Sequence, residues 1–262
     1  MAYKIREAEP REHLPAINLL LEIPYAGRRL EVAVFPAIDY GGATYRTNVA
    51  NMAKHCFYSN KFPNISFRPA TTAESISTAS HKFKDVVKPK IFDPKWLQAG
   101  QIVRTSEGVW ANPPKDAERH PITDEKKLKS FLNQCQQVNG IWLYQGDDPK
   151  LRDFGFAPYE TFGGDMQGDM QGDMQDCDTF VRGGLARIIE HTPAEKAEKF
   201  EAIASPDVYR YGVNVWGFDP VKNPVLKMVG LNSGLCHGFL SGLYVLGNWS
   251  DCGSGYAFGV RK

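Results

Sequence analysis

Three things are scarce in this chain of 262 residues, and each scarcity removes a class of protein. Net charge is nearly absent, since 31 basic residues against 30 acidic ones leave +1, so no bulk field favours a polyanion and nucleic acid is not an expected partner. Cysteine is sparse and odd in number. The five, Cys56, Cys135, Cys177, Cys236 and Cys252, share no CxxC spacing, which argues against a disulfide framework or a zinc site. Long apolar runs are missing too: no window approaches the roughly 20 apolar residues that span a bilayer, so membrane insertion is not expected. The start, Met1-Ala2-Tyr3-Lys4-Ile5-Arg6, has no apolar stretch of signal-peptide length, which predicts a chain made in the cytosol. What is present, 42% apolar residues with 12% aromatics, suffices for the core of one large domain.

The most informative scarcity is local. Lys, Glu, Gln, Met and Trp make up a fifth of the chain, so a window of the length of Val229 to Arg261 should hold roughly six or seven of them. It holds Trp249 alone. These five are the residues that a codon with two free leading bases and a pyrimidine in third place cannot encode, so random replacement of adenines in Asn codons would produce this gap. The window also carries glycines at 230, 234, 238, 242, 247, 253, 255 and 259. Between them stands a mixture of Asn, Ser, Leu, Cys, His, Phe, Asp and Tyr that no single packing role suits. A Gly-rich loop at the end of a β domain is the plainer reading of the same stretch.

With its spaced glycines, the segment Gly247-Asn248-Trp249-Ser250 and the ending Gly255-Tyr256-Ala257-Phe258-Gly259-Val260-Arg261, the block resembles the variable region of diversity-generating retroelement target proteins, including those of archaeal viruses. The resemblance is specific from Tyr211 onward. It implies a C-type lectin-like fold: α+β, with two helices, short antiparallel strands and long loops in a single domain over 1–262, and a terminal strand that pairs near the domain start. It implies that variable side chains between about 230 and 258 form a ligand-binding face. The candidate positions are Asn232, Ser233, Leu235, Cys236, His237, Phe239, Leu240, Ser241, Leu243, Tyr244, Ser250, Asp251, Cys252, Ser254 and Tyr256. A virion-surface protein that binds a protein or glycan on a host cell, without catalysis, cofactor or metal, is the function so implied.

Such a face needs its variable positions exposed, because a packed interior responds to every change of one methylene. Glycines between them supply backbone that does not depend on the neighbouring side chain, while Trp249 and Phe258 would anchor the scaffold from beneath, the other reading of Trp249 being a place on the ligand face itself. Phe239, Tyr256 and His237 among serines and leucines give the aromatic and small polar mixture of a paratope. Leu235, Phe239, Leu240 and Leu243 would make an exposed apolar cluster that calls for a partner.

Upstream, Leu19 to Ile23 and Arg29 to Phe35 read as an opening hairpin, and Thr44 to Tyr58 as the first of two lectin-type helices. The Pro-rich stretch from Asn60 to Ile122 predicts irregular structure between short strands, among them a pair over Gln101 to Trp110 turning at Glu107-Gly108. A helix is expected from Thr123 through Gln137, then a buried strand over Ile141 to Tyr144. Helical patterns cover Val181 to Glu190 and Pro193 to Ile203, and Tyr209 to Phe218 alternates as a strand. The thrice-repeated GDMQ over Gly164 to Gln175 reads as an exposed insertion. Its aspartates, with Asp176 and Asp178, lack the 1, 3, 5 spacing of an EF-hand loop.

Other functions are weighed against this reading. Formylglycine-generating enzymes share the kind of fold and use paired cysteines, a role open to Cys236 and Cys252 beside His237, but no recognisable motif surrounds them. The six histidines stand in no HExxH or nucleophile-elbow context. A calcium-dependent lectin would show Glu-Pro-Asn and Trp-Asn-Asp signatures, of which Asn248-Trp249-Ser250-Asp251 is a loose echo in the wrong order. A virion structural protein or adhesin without diversification is the remaining alternative.

Overall fold

The computed structural model describes residues 20–54, 65–92, 95–163, 173–205, 207–209, 212–233, 242–249 and 253–262. Its organising element is a 13-stranded mixed sheet. The chain opens with a hairpin of β1 (Leu20–Tyr25) and β2 (Arg28–Phe35), as the alternation predicts, turning at Ala26-Gly27 where both φ angles are positive. Helix α1 (Tyr45–Lys54) follows, and residues 55–58 of the expected helix lie outside the described residues.

Strand β3 (Phe67–Pro69) leads into a helix that the Pro-rich stretch did not predict, α2 (Thr72–Lys82), continued by wide π turns over Phe83–Phe92. Its local cause is a capping box: Thr71 Oγ1 accepts from the Glu74 amide, and the Glu74 carboxylate accepts from the Thr71 amide. Thr72 through Ala79 are all buried, so its small residues let it lie flat on the sheet. Ser77 and Thr78 satisfy their hydroxyls on the carbonyls of Ala73 and Glu74, four residues back. Gly100 on β4 (Trp96–Arg104) meets this helix so closely that a Cβ would stand 2.8 Å from Thr72, and its φ of +150° suits glycine.

β5 (Gly108–Ala111) pairs with β4 across the expected turn. The helix expected over 123–137 is three elements instead. α3 (Glu125–Ser130) ends early, a 3-10 turn follows, and β6 (Cys135–Val138) pairs with β7 (Ile141–Tyr144). The reason is Asn139-Gly140, whose φ of +47° and +83° make the hairpin turn that a helical reading of the leucine spacing passes over. β8 (Gly155–Pro158) completes this end of the sheet.

The last GDMQ unit is also corrected in part. β9 (Asp173–Gln175) pairs with β10 (Val213–Trp216), and Gln175 is buried, donating to the Gly163 carbonyl at 2.8 Å. Residues 164–172 lie outside the described residues. Gly183 splits the next helix into α4 (Cys177–Arg182) and α5 (Gly184–Glu190), and α6 (Glu198–Ala204) begins five residues later than Pro193. The described residues thus hold six α-helices where the resemblance implies two.

β11 (Val225–Ser233), β12 (Leu243–Trp249) and β13 (Gly255–Arg261) close the chain. β13 is the joint of the sheet. It runs antiparallel to β2, Ala257 opposite Phe35 and Val260 opposite Val32, and parallel to the start of β4, Gly255 opposite Trp96. One sheet face carries the main core under α2, α4, α5 and α6. On the other, a smaller cluster including Phe35, Met52, Phe67 and Met228 sits under α1, and a third gathers around Trp110 and Phe154 near α3. The molecule is α+β.

Candidate ligand-binding face

The register of the last strands places the C-terminal run. β11 pairs with β4 on one side and β12 on the other, with Leu231 opposite both Leu97 and Val245. β13 lies across β4 from β11, and its Tyr256 is also opposite Leu97. Residues 234–241 join β11 to β12, and residues 250–254 carry the chain from β12 past β11 and β4 to β13. Residues 250–252 of that second passage lie outside the described residues, and the sheet face opposite α2 is the one that α1 covers.

Trp249 ends β12 on this face with its ring centroid 4.3 Å from that of Trp96 on β4. Two glycines make room for it: a Cβ at Gly253 would stand 2.3 Å from its indole nitrogen, and one at Gly230 would stand 3.1 Å from the ring. Trp249 is half-buried, and Phe258 is fully enclosed in the main core.

A buried amide network holds the start of β13. Asn48 Nδ2 donates to Gln98 Oε1 at 2.9 Å, and Gln98 Nε2 donates to the Gly253 carbonyl at 2.9 Å and the Ala43 carbonyl at 3.0 Å. Ala43 and Gly255 exchange both backbone hydrogen bonds at 2.9 Å. The Tyr256 hydroxyl donates to the Ile38 carbonyl at 2.7 Å. These polar contacts hold the backbone at the start of β13 in one arrangement, with Asn48 Oδ1 left buried and without a partner among the described residues.

The fifteen candidate positions divide in two. Asn232, Ser233, Leu243 and Tyr256 are buried strand residues, with Leu243 fully enclosed in the main core. Their expected exposure is corrected: strands flanked on both sides present residues of either face to packed layers, so changes there would be felt by the core. Tyr244 is half-buried and Ser254 exposed. Leu235, Cys236, His237, Phe239, Leu240, Ser241, Ser250, Asp251 and Cys252 lie outside the described residues. The exposed cluster therefore loses Leu243. On one rung Asn232, Tyr244 and Asn214 stand side by side, and Asn232 Oδ1 and Asn214 Nδ2 are buried with no hydrogen-bond partner. A polar ligand or water would relieve them.

Beside Trp249 lies a cleft of about 480 Å³, within the size range of small-ligand sites. Its floor is Tyr45, Val49, Leu226, Met228 and Trp249, and its rim is Arg46, Lys115, Arg119 and Lys227. Burial raises the Tyr45 phenol above its ordinary range, so it stays protonated. Burial, with Arg119 beside it, lowers the Lys115 ammonium. No local motif announces these residues, which come from α1, the 113–121 loop, β11 and the end of β12. Among the described residues no group of three or more His, Cys, Asp and Glu could hold a metal ion. Cys135 and Cys177 are unbridged, and no helix of the described residues is long and apolar enough to cross a membrane.

No protein-family model, curated protein or solved structure matches this chain.

Proposed function

We propose that this is a ligand-recognition protein of C-type lectin-like fold whose C-terminal connections are diversified by a retroelement, displayed on a virus particle to bind a protein or glycan on a host cell surface. The observation that carries the reading is the missing Lys, Glu, Gln and Met from Val229 to Arg261, joined to how that run is divided. Its buried strand members are built into the sheet, and nine candidates fall in the two stretches between strands. A scaffold braced by the Asn48–Gln98 network and the Trp96–Trp249 pair, whose named partners all lie outside those stretches, would tolerate change in them. The pairing of β13 with β2 supports the lectin-like part, since the resemblance implies a terminal strand beside the domain start. The reading is of binding without catalysis.

The test is a library in which codons for Leu235, Cys236, His237, Phe239, Leu240, Ser241, Ser250, Asp251 and Cys252 take any two leading bases and a pyrimidine third. Most members should melt cooperatively within a few degrees of the parent, a shift of less than about 1 kcal/mol. Loss of cooperative folding in most members would remove the reading.

A further inference from the structure

The cleft beside Trp249 does not stand alone. A second cavity of about 710 Å³ shares Tyr45, Pro69, Gln101, Lys115 and Arg119 with it, so the two form one groove along the sheet face opposite α2. Charge in this groove is segregated. Among the described residues the first cavity is lined by Arg46, Lys115, Arg119 and Lys227 with no acid, and the second adds Arg68, Lys150 and Arg152 against Asp116. Asp116 is engaged locally, its Oδ1 accepting from the Glu118 and His120 amides at 2.9 Å. Arg68 is paired with Glu74, but among the described residues no ion pair holds Lys115, Arg119, Lys150 or Lys227. In a chain balanced at 31 basic to 30 acidic residues, so one-sided a lining is a local feature.

We propose that this groove binds an anionic oligosaccharide bearing sulfate or carboxylate groups. Lysine and arginine rims hold such groups by charge-assisted hydrogen bonds, and a floor of Trp249, Leu226 and Pro121 accepts the apolar face of a sugar ring. A nucleic acid strand fits less well. It asks for successive stacking platforms, whereas here the one lining tryptophan among the described residues already lies with a face against Trp96. Among the described residues every groove residue except Trp249 lies outside the stretch from Val229 to Arg261, and the restricted codons cannot produce a tryptophan. Resting on the diversified reading, the groove is then a constant anchor, common to all variants, beside a changing face.

The experiment is calorimetry at low salt with a size-defined heparin hexasaccharide, with maltohexaose and a thymidine hexanucleotide as comparators. Lys115→Gln with Arg119→Gln should weaken the heparin fragment at least tenfold and flatten the salt dependence. The exposed pair Lys126→Gln with Lys127→Gln, away from the groove, should leave binding unchanged. Lys227→Gln serves as a second groove variant if the first pair fails to melt cooperatively. A chain with serine at the nine connection positions should bind heparin like the parent, so failure of the diversified reading leaves this result standing. No binding, equal loss in the groove pair and the Lys126–Lys127 pair, or tighter binding of the thymidine hexanucleotide would each overturn the proposal.

Discussion

The two faces of the sheet are built to different rules. Under α2, α5 and α6 the layer is closed and apolar: Phe200, Phe218, Ile188 and Leu243 are fully enclosed, and glycines such as Gly100 serve close packing of helix on strand. The opposite face is stapled at its ends by α1 and by the cluster around Trp110, and between them it keeps a groove rimmed with cations and floored by Trp249. Two smaller buried clusters hold that face, and hydrogen bonds from Asn48 and Gln98 to the 253–255 backbone add to them. One face supplies stability, and the other is free to be specialised for a ligand.

Cutting into the closed face should therefore cost most. Phe200→Ala is expected to destabilise by about 3–5 kcal/mol, read as a lower denaturation midpoint at unchanged slope, because a fully buried ring leaves a cavity. An equal midpoint for the two would erase the contrast with Trp249→Ala, where a half-exposed ring should lose only about 1–2 kcal/mol. Next comes the division within the C-terminal run. Leu243→Ala should cost about 2–4 kcal/mol, while Ser254→Leu should stay within about 0.5 kcal/mol, both by chemical denaturation.

Glu74→Gln probes the ion pair that ties α2 to β3. The buried carboxylate accepts from both terminal nitrogens of Arg68 at 2.6 and 2.7 Å, and the neutral amide should lose about 3 kcal/mol. On the open face, Gly253→Ala should cost about 1–2 kcal/mol and change Trp249 fluorescence, since the added methyl displaces the indole.

The smallest expected effect is in pH. Burial lowers the His191 imidazole below its ordinary value while its Nε2 stands 3.1 Å from the Phe154 carbonyl, so the folded chain keeps it neutral. Below about pH 6.5 the unfolded chain binds the proton first, and stability falls as pH drops through that window. Glu74 adds to this: burial would raise its carboxyl, but the Arg68 pair more than reverses that and leaves it lowered, so its contribution is lost on further acidification. Glu190, raised by burial, works the other way, its stability falling as pH rises above the ordinary carboxylate value. His191→Asn, which keeps the left-handed backbone at φ +54°, should flatten the melting temperature between about pH 7 and 5.5. An unchanged slope would remove His191 from the account.

Legibility in the sequence followed how local each cause is. The opening hairpin, the turn at Glu107-Gly108 and the strand at Ile141 rest on alternation and turn residues, and they stand where the pattern puts them. α2 was hidden because the apolar positions in TTAESISTASHK are few and mostly small, Ala73, Ile76 and Ala79 at helical spacing; its Thr71-x-x-Glu74 capping box was the readable signal. Asn139-Gly140 likewise marks a hairpin inside what leucine spacing presents as helix. The candidate face was half legible. Codon restriction marks the run but cannot separate Leu243 from its neighbours, because burial depends on which strand lies alongside. The groove was not legible at all, since Tyr45, Lys115, Arg119 and Lys227 meet only through the sheet.

The most direct test of the central claim is sequencing of the 3′ end of this gene, with flanking DNA, across many clones of one population. The account predicts changes at the first two bases of codons between residues 234 and 241 and between 250 and 252, constant Leu243, Trp249 and Phe258, and a neighbouring near-copy with a reverse transcriptase gene. A uniform C-terminus, or variation as frequent at Leu243 and Phe258 as in the two connections, would contradict it.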